Sequence, residues 1–161
     1  MLKELVITGI IIWVIFAMIL PFLIFPNFYL RKSKVPRSPY IQSLARTLKG
    51  KSQKETLRKV FRFVTQNYSG EKEKLKLVNY PKHFKTDIEK ILKKRHQFFA
   101  CHIQNRIIAT LLINTNQFKE KMITKKTRIG PYPAAHQYLI IKTKDKKFKV
   151  DPFYGILREL E

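Results

Sequence analysis

Apolar residues along this chain follow three different rhythms. From Leu5 to Phe25 runs a stretch of 21 residues without a charge, and Gly9 through Phe16 within it is apolar on every side. As a helix such a stretch is roughly 30 Å long, enough to cross a hydrocarbon core, and membrane helices tolerate a proline such as Pro21. A cleaved leader fits less well: the run is too long, only Lys3 precedes it as a basic residue, and no small-x-small site follows. The pattern predicts a retained transmembrane anchor.

The second rhythm is helical. Ser52-x-x-Glu55 reads as a capping box, Leu57, Val60, Phe61 and Val64 recur at helical spacing, and Ser69-Gly70 ends the run. Thr86-x-x-Glu89 predicts a second, shorter helix carrying Ile88, Ile91 and Leu92. A third runs from about Ala100 to Ile113, with Ile103, Ile107, Ile108, Leu111 and Leu112 on a broad apolar face suited to the centre of a small domain.

After residue 120 the period falls to two. Met122 to Ile129 predicts a strand ended by Gly130-Pro131, and His136 to Lys142 with Lys147 to Asp151 predicts a hairpin around Thr143-Lys144-Asp145-Lys146. A loop of two or four residues sets Lys142 opposite Lys147, Ile141 opposite Phe148 and Leu139 opposite Val150. That register gathers the four apolar residues on one face, as a core requires. It also leaves His136 and Asp151 as diagonal neighbours on the other face, where a three-residue loop would separate them. Helices followed by strands argue an α+β domain, helices packed on an antiparallel sheet.

Charge divides the chain. Lys3 and Glu4 cancel, so the formal net charge of +22 belongs to the residues from Arg31 onward. Arg31, Lys32, Lys34 and Arg37 follow the apolar run, which by the positive-inside rule places the large domain on the cytoplasmic side of a single-pass membrane protein. The same cluster would attract anionic lipid headgroups. The chain thus reads as an anchor at 5–25, a basic juxtamembrane linker at 26–40 with Pro36 and Pro39 against regular structure, and a catalytic domain at 41–161. Clusters such as Lys93-Lys94-Arg95 and Lys125-Lys126-x-Arg128 carry no nucleic-acid motif, so membrane proximity or an acidic protein segment is the expected partner, and nucleic acid is not.

The candidate chemistry is a trio. Cys101, the chain's one cysteine, opens an apolar helix, His136 opens a strand, and Asp151 closes the next strand in Val150-Asp151-Pro152. First-turn N–H groups stabilise negative charge on sulfur, an imidazole moves the proton, and a carboxylate orients the ring. A lone cysteine cannot form a disulfide within the chain, and the histidines show no metal-ligand spacing, so neither metal nor cofactor is expected. Each residue alone has an ordinary reading: a buried thiol, a surface strand histidine, a turn aspartate. His102, the nearest rival base, points about 100° away from Cys101 on the helix.

The contexts Phe98-Phe99-Ala100-Cys101, Ala135-His136-Gln137-Tyr138 and Phe148-Lys149-Val150-Asp151-Pro152 resemble the transglutaminase-like branch of the papain-like cysteine enzymes. The likeness extends over most of residues 45–161 and implies Cys101 as nucleophile, His136 as base and Asp151 as orienting acid. Two features depart from the family's pattern. Phe99 stands where glycine is common, and Gln137-Tyr138 stand where a small residue and tryptophan are common. The resemblance implies action on an amide or peptide bond, with a cysteine peptidase the leading expectation over a deamidase or acyl transferase. The competing expectation is a non-catalytic, membrane-tethered basic binding module that retains the fold.

Overall fold

Why each helix starts where it does is visible in its cap. The computed structural model describes residues 2–24, 35–70, 87–129 and 135–161, with side chains described for 3–14, 35–70, 87–128 and 136–161. Helix α1 spans Leu2–Ile24. Helix α2 spans Pro39–Leu48, with the Ser38 hydroxyl accepting from the Ile41 N–H at 3.3 Å. The sequence reading placed a linker through residue 40. Pro39 instead occupies the first turn, where its missing N–H costs nothing and its fixed φ suits a helix. Helix α3, Gln53–Asn67, begins at Ser52 as expected, but Glu55 reaches back to the Lys51 N–H rather than to that of Ser52.

Helix α4 spans Ile88–Lys93 and is capped by Asp87, whose carboxylate accepts from the Lys90 N–H at 3.0 Å. The expected cap, Thr86, lies outside the described residues. Helix α5 runs Cys101–Asn114, one residue from each expected bound. Two short strands escaped the sequence reading: β1, Tyr68–Ser69, and β2, Gln97–Phe98, which pair in parallel. A two-residue strand is too short to show a period. The remaining strands are β3 (Ile123–Ile129, after a 3₁₀ turn at Glu120–Met122), β4 (Ala135–Lys142), β5 (Lys147–Asp151) and β6 (Ile156–Leu160), in that order across one four-stranded antiparallel sheet.

The hairpin has the register that apolar patterning demands. Leu139 pairs with Val150, Ile141 with Phe148 and Lys142 with Lys147, around a turn in which the Lys146 N–H donates to the Thr143 hydroxyl. Leu139, Ile141, Phe148 and Val150 join Ile103, Ile107, Ile108, Leu111 and Leu112 of α5, and Leu57, Val60 and Val64 of α3, in one buried cluster. All of α5 is buried except Arg106. Its low amphipathicity suits such a central position, and its polar residues satisfy much of their need on backbone oxygens.

The chain divides into two units: Met1–Ser33 with Arg128–His136, and Lys34–Thr127 with Gln137–Glu161. The larger holds the helical layer and most of the sheet. In the smaller, the described α1 side chains Leu5, Val6, Ile7, Ile10, Ile11, Ile12 and Trp13 are exposed. The expectation of an N-terminal transmembrane helix is corrected here: among the described residues no helix is long and apolar enough to cross a membrane. Of the α1 side chains that are described, residues 3–14, the first two, Lys3 and Glu4, are charged. The rest of the apolar run and the basic segment 26–34 lie outside the described side chains.

Candidate active site

Cys101 is the first residue of α5, with Phe99 and Ala100 between it and β2. Ala100 occupies the cap position and provides no side-chain hydrogen bond, so backbone and glutamine contacts fix this turn instead. The Phe99 N–H donates to the Ser69 oxygen at 3.2 Å. Gln104 Nε2 donates to both the Ser69 oxygen at 2.9 Å and the Phe99 oxygen at 2.8 Å. The turn that carries Cys101 is thereby tied to β1 by two residues, Phe99 and Gln104. Cys101 is 6% exposed, buried together with its neighbours Phe99, Ala100 and Ile103.

Asp151 is the last residue of β5 and pairs with Ile156 of β6. By strand alternation it belongs with Lys147 and Lys149, which are exposed and half-buried, but Asp151 itself is only 2% exposed. The Phe153 ring stands edge-on to Phe98 with centroids 6.4 Å apart. Gly70 lies so close to the Phe153 carbonyl that a Cβ there would overlap the oxygen. Gly70, Phe98 and Phe153 therefore bring the segments carrying Cys101 and Asp151 into one neighbourhood of the larger unit.

His136 is the second residue of β4, half-buried, and falls in the smaller unit. Its chain neighbour Gln137 is in the larger unit, where the Asn105 amide donates to the Gln137 oxygen at 2.7 Å. Asn105 is one helical turn past Cys101, so the side of α5 that carries the thiol is the side bonded to β4. His102 is buried at 3% exposure, while His96 is exposed with φ 56°. His83 lies outside the described residues. Among the described residues no three His, Cys, Asp or Glu side chains cluster as metal ligands.

No family model matches the chain, and no curated protein matches its sequence. A solved structure does. LapG of Legionella pneumophila superimposes with a TM-score of 0.52 at 16% identity, over 79% of this chain and 78% of that one. A transglutaminase-like cysteine protease thus shares this fold. At such identity the likeness is one of architecture, and it agrees with the α+β arrangement of the helical layer and the sheet.

Sequence reasoning missed Gly70, Gln104, Asn105 and Phe153, the residues that position the trio's segments. The glutamine and asparagine were detectable in principle as polar interruptions of an otherwise apolar helix. A glycine needed for a close backbone approach leaves no such mark.

Next to this neighbourhood, Tyr68 packs edge-on against Phe99 with centroids 5.6 Å apart and donates to the Ile91 oxygen at 3.4 Å. Its phenol is pushed up to about 12, chiefly by burial and then by Tyr40, against a lowering by Arg95. Folded protein thus resists ionisation of Tyr68. The stability this confers is complete below the unfolded pKa near ~10 and disappears as pH rises through about 12. Tyr68→Phe is expected to flatten the fall in melting temperature between those pH values, followed by circular dichroism; parallel curves for the two proteins would contradict the assignment.

A cavity of about 560 Å³ lies elsewhere, between the start of α3 and the β4–β5 turn. Lys51, Lys54, Lys144 and Lys146 line it, and neither Cys101 nor Asp151 does. Fifteen residues of α3 separate that end from Tyr68, about 22 Å of helix.

Proposed function

We propose that this chain is a transglutaminase-like cysteine peptidase, with Cys101 as nucleophile, His136 as general base and acid, and Asp151 as orienting carboxylate. The observation that carries the reading is the convergence of Gly70, Phe98 and Phe153, which draws the Cys101 and Asp151 segments together in the larger unit. The Asn105–Gln137 bond supports it from the histidine's side. Continued along both strands, the hairpin register gives His136 and Asp151 the same parity. The LapG-like fold is consistent with a peptidase and leaves the substrate open.

In the proposed reaction the imidazole removes the thiol proton and sulfur attacks the carbonyl carbon. The N–H of Cys101, at the start of α5, donates to the developing oxyanion. Collapse of the intermediate breaks the C–N bond while imidazolium returns the proton to the departing nitrogen, leaving a thioester. Water, activated by the same imidazole, adds to the thioester carbonyl, and the carboxylic acid and thiol are released.

One observation favours a second reading, a fold-retaining binding module without catalysis: Cys101 is 6% exposed. Chemical labelling separates the two. Cys101 is expected to react with iodoacetamide at mildly acidic pH at least about tenfold faster than free cysteine, and His136→Ala to remove that advantage. Mass spectrometry of the labelled peptide measures both rates. A native thiol no faster than free cysteine, or one indifferent to His136→Ala, would favour the module.

A further inference from the structure

The cavity between the start of α3 and the β4–β5 turn takes no part in the proposed chemistry, and its lining is one-sided in charge. Lys51, Lys54, Lys144 and Lys146 bring four ammonium groups to it, against the one carboxylate of Asp145, and no arginine lines it among the described residues. All of these residues belong to the larger unit. At about 560 Å³ the cavity is large enough for a small organic molecule and far larger than a single water needs.

The walls come from three separate stretches of chain, and one side chain clamps them together. Gln53 Nε2 donates to the Gln117 oxygen at 2.6 Å, while Gln53 Oε1 accepts from the Lys144 N–H at 2.8 Å. Gln117 Nε2 donates in turn to the Gly50 oxygen at 3.0 Å, directly before Lys51. The turn is closed by the Thr143 N–H on the Lys146 oxygen at 2.8 Å. The chain's own hydrogen bonds thus fix the backbone of Lys51, Lys144 and Lys146 around the cavity.

Two of the lysines share an acid. Lys54 Nζ lies 3.2 Å from Glu159 Oε2, and Lys146 Nζ pairs with Oε1 of the same carboxylate. One positive charge of that pair is left over. Among the described residues no salt bridge engages Lys51 or Lys144; the other ion pairs are Glu55 with Lys59, Asp87 with Lys90 and Glu89 with Lys93. Like charges gathered in a concavity repel one another, and an anion that enters relieves the repulsion.

The residue type indicates which anion. Lysine is a compact point charge that can meet the oxygens of a tetrahedral phosphate from any direction. A planar carboxylate is matched best by the arginine fork, which this lining lacks. We propose that the cavity is a preformed binding site for a phosphorylated small molecule, its phosphate held by the ammonium groups of Lys51, Lys54, Lys144 and Lys146. The site is independent of the peptidase reading, because neither Cys101 nor Asp151 lines it.

Isothermal titration calorimetry on the full chain at physiological salt tests this with three probes: inorganic pyrophosphate, water-soluble dibutanoyl phosphatidylinositol phosphate, and succinate. One equivalent of a phosphate probe is expected to bind, with succinate at least about tenfold weaker. Lys51→Gln combined with Lys144→Gln should weaken phosphate binding by about tenfold or more. Both side chains are exposed, so the double variant keeps the fold. Lys94→Gln with Lys126→Gln removes the same charge outside the lining and should change binding less than about twofold. Gln53→Ala leaves the net charge alone but breaks the clamp, and should weaken binding several-fold. Tighter binding of the short-chain lipid supports the site and assigns the phosphate to a membrane headgroup; tighter binding of pyrophosphate supports it and assigns a free phosphorylated molecule. Equal weakening by the two lysine pairs, or indifference to Gln53→Ala, would mean that a diffuse basic surface attracts the anion, and either result overturns the proposal. So does succinate binding as tightly as phosphate, or no binding of either phosphate probe.

Discussion

Asp151→Asn is expected to lower kcat/KM for peptide cleavage by about a thousandfold or more, with the far-ultraviolet spectrum unchanged. The two side chains have nearly the same shape, so the buried position at the end of β5 keeps its packing. What changes is chemical. A carboxylate accepts from an imidazole N–H and stabilises the imidazolium formed as the thiol loses its proton. An amide offers no charge, and its NH₂ can hold the ring in the tautomer that cannot take that proton. The loss should appear in acylation, read as a slower single-turnover release of the amine product. A variant within a few-fold of the parent would show that Asp151 is structural, its burial a matter of folding alone. Asp151→Ala is the less informative change because it opens a gap at a buried position.

Gly70→Ala is expected to be the most damaging single methyl group in the described chain. The added Cβ would meet the carbonyl of Phe153, and its neighbours there are backbone atoms. Backbone cannot rotate aside as a side chain can, so either β1 or the turn after β5 has to move. Overpacking of this kind costs on the order of 1–3 kcal/mol or more, equivalent to a drop of roughly 3–10 °C in melting temperature for a chain of this size. Gly50→Ala is the internal comparison: its Cβ would meet only the Glu55 side chain, much of which can swing away, and the effect should be smaller. The two differ in function as well. A shift of Phe153 propagates to Asp151, two residues earlier, so Gly70→Ala should slow iodoacetamide labelling of Cys101 even at temperatures where the protein stays folded. Equal losses at Gly50 and Gly70, or a Gly70→Ala protein with parent stability and labelling, would remove the glycine from the positioning argument.

Much of the sheet was legible because its alternation is strict. Leu139, Ile141, Phe148 and Val150 can share a face in one register, and that register is the one found. The caps Ser52 and Asp87 show why helix starts are readable to within a residue or so: several neighbouring side chains can take the same N–H, and local geometry chooses. Pro39 misled because proline signals both an interrupted chain and a first helical turn. β6 was missed because Arg158 and Glu159 dilute its alternation, and its strand character comes from pairing with β5. The transmembrane expectation rested on the length of an uncharged apolar run and on its flanks, which fix no side-chain surroundings. Of the site, residue types and local contexts were visible in sequence, whereas the long-range packing that gathers Gly70, Phe98 and Phe153 was not. Such contacts obey no short period.

The meeting of Gly70, Phe98 and Phe153 also has a bearing on birth order. A growing polypeptide emerges from the ribosome with its sulfur some fifty positions ahead of Phe153, so Gly70, Phe98 and the thiol-bearing helix are synthesised well before the aromatic that packs on Phe98. During translation, then, the contact of Phe153 with Phe98 and Gly70 forms only after the turn beyond β5 has been made, and any chemistry proposed for Cys101 would wait for it.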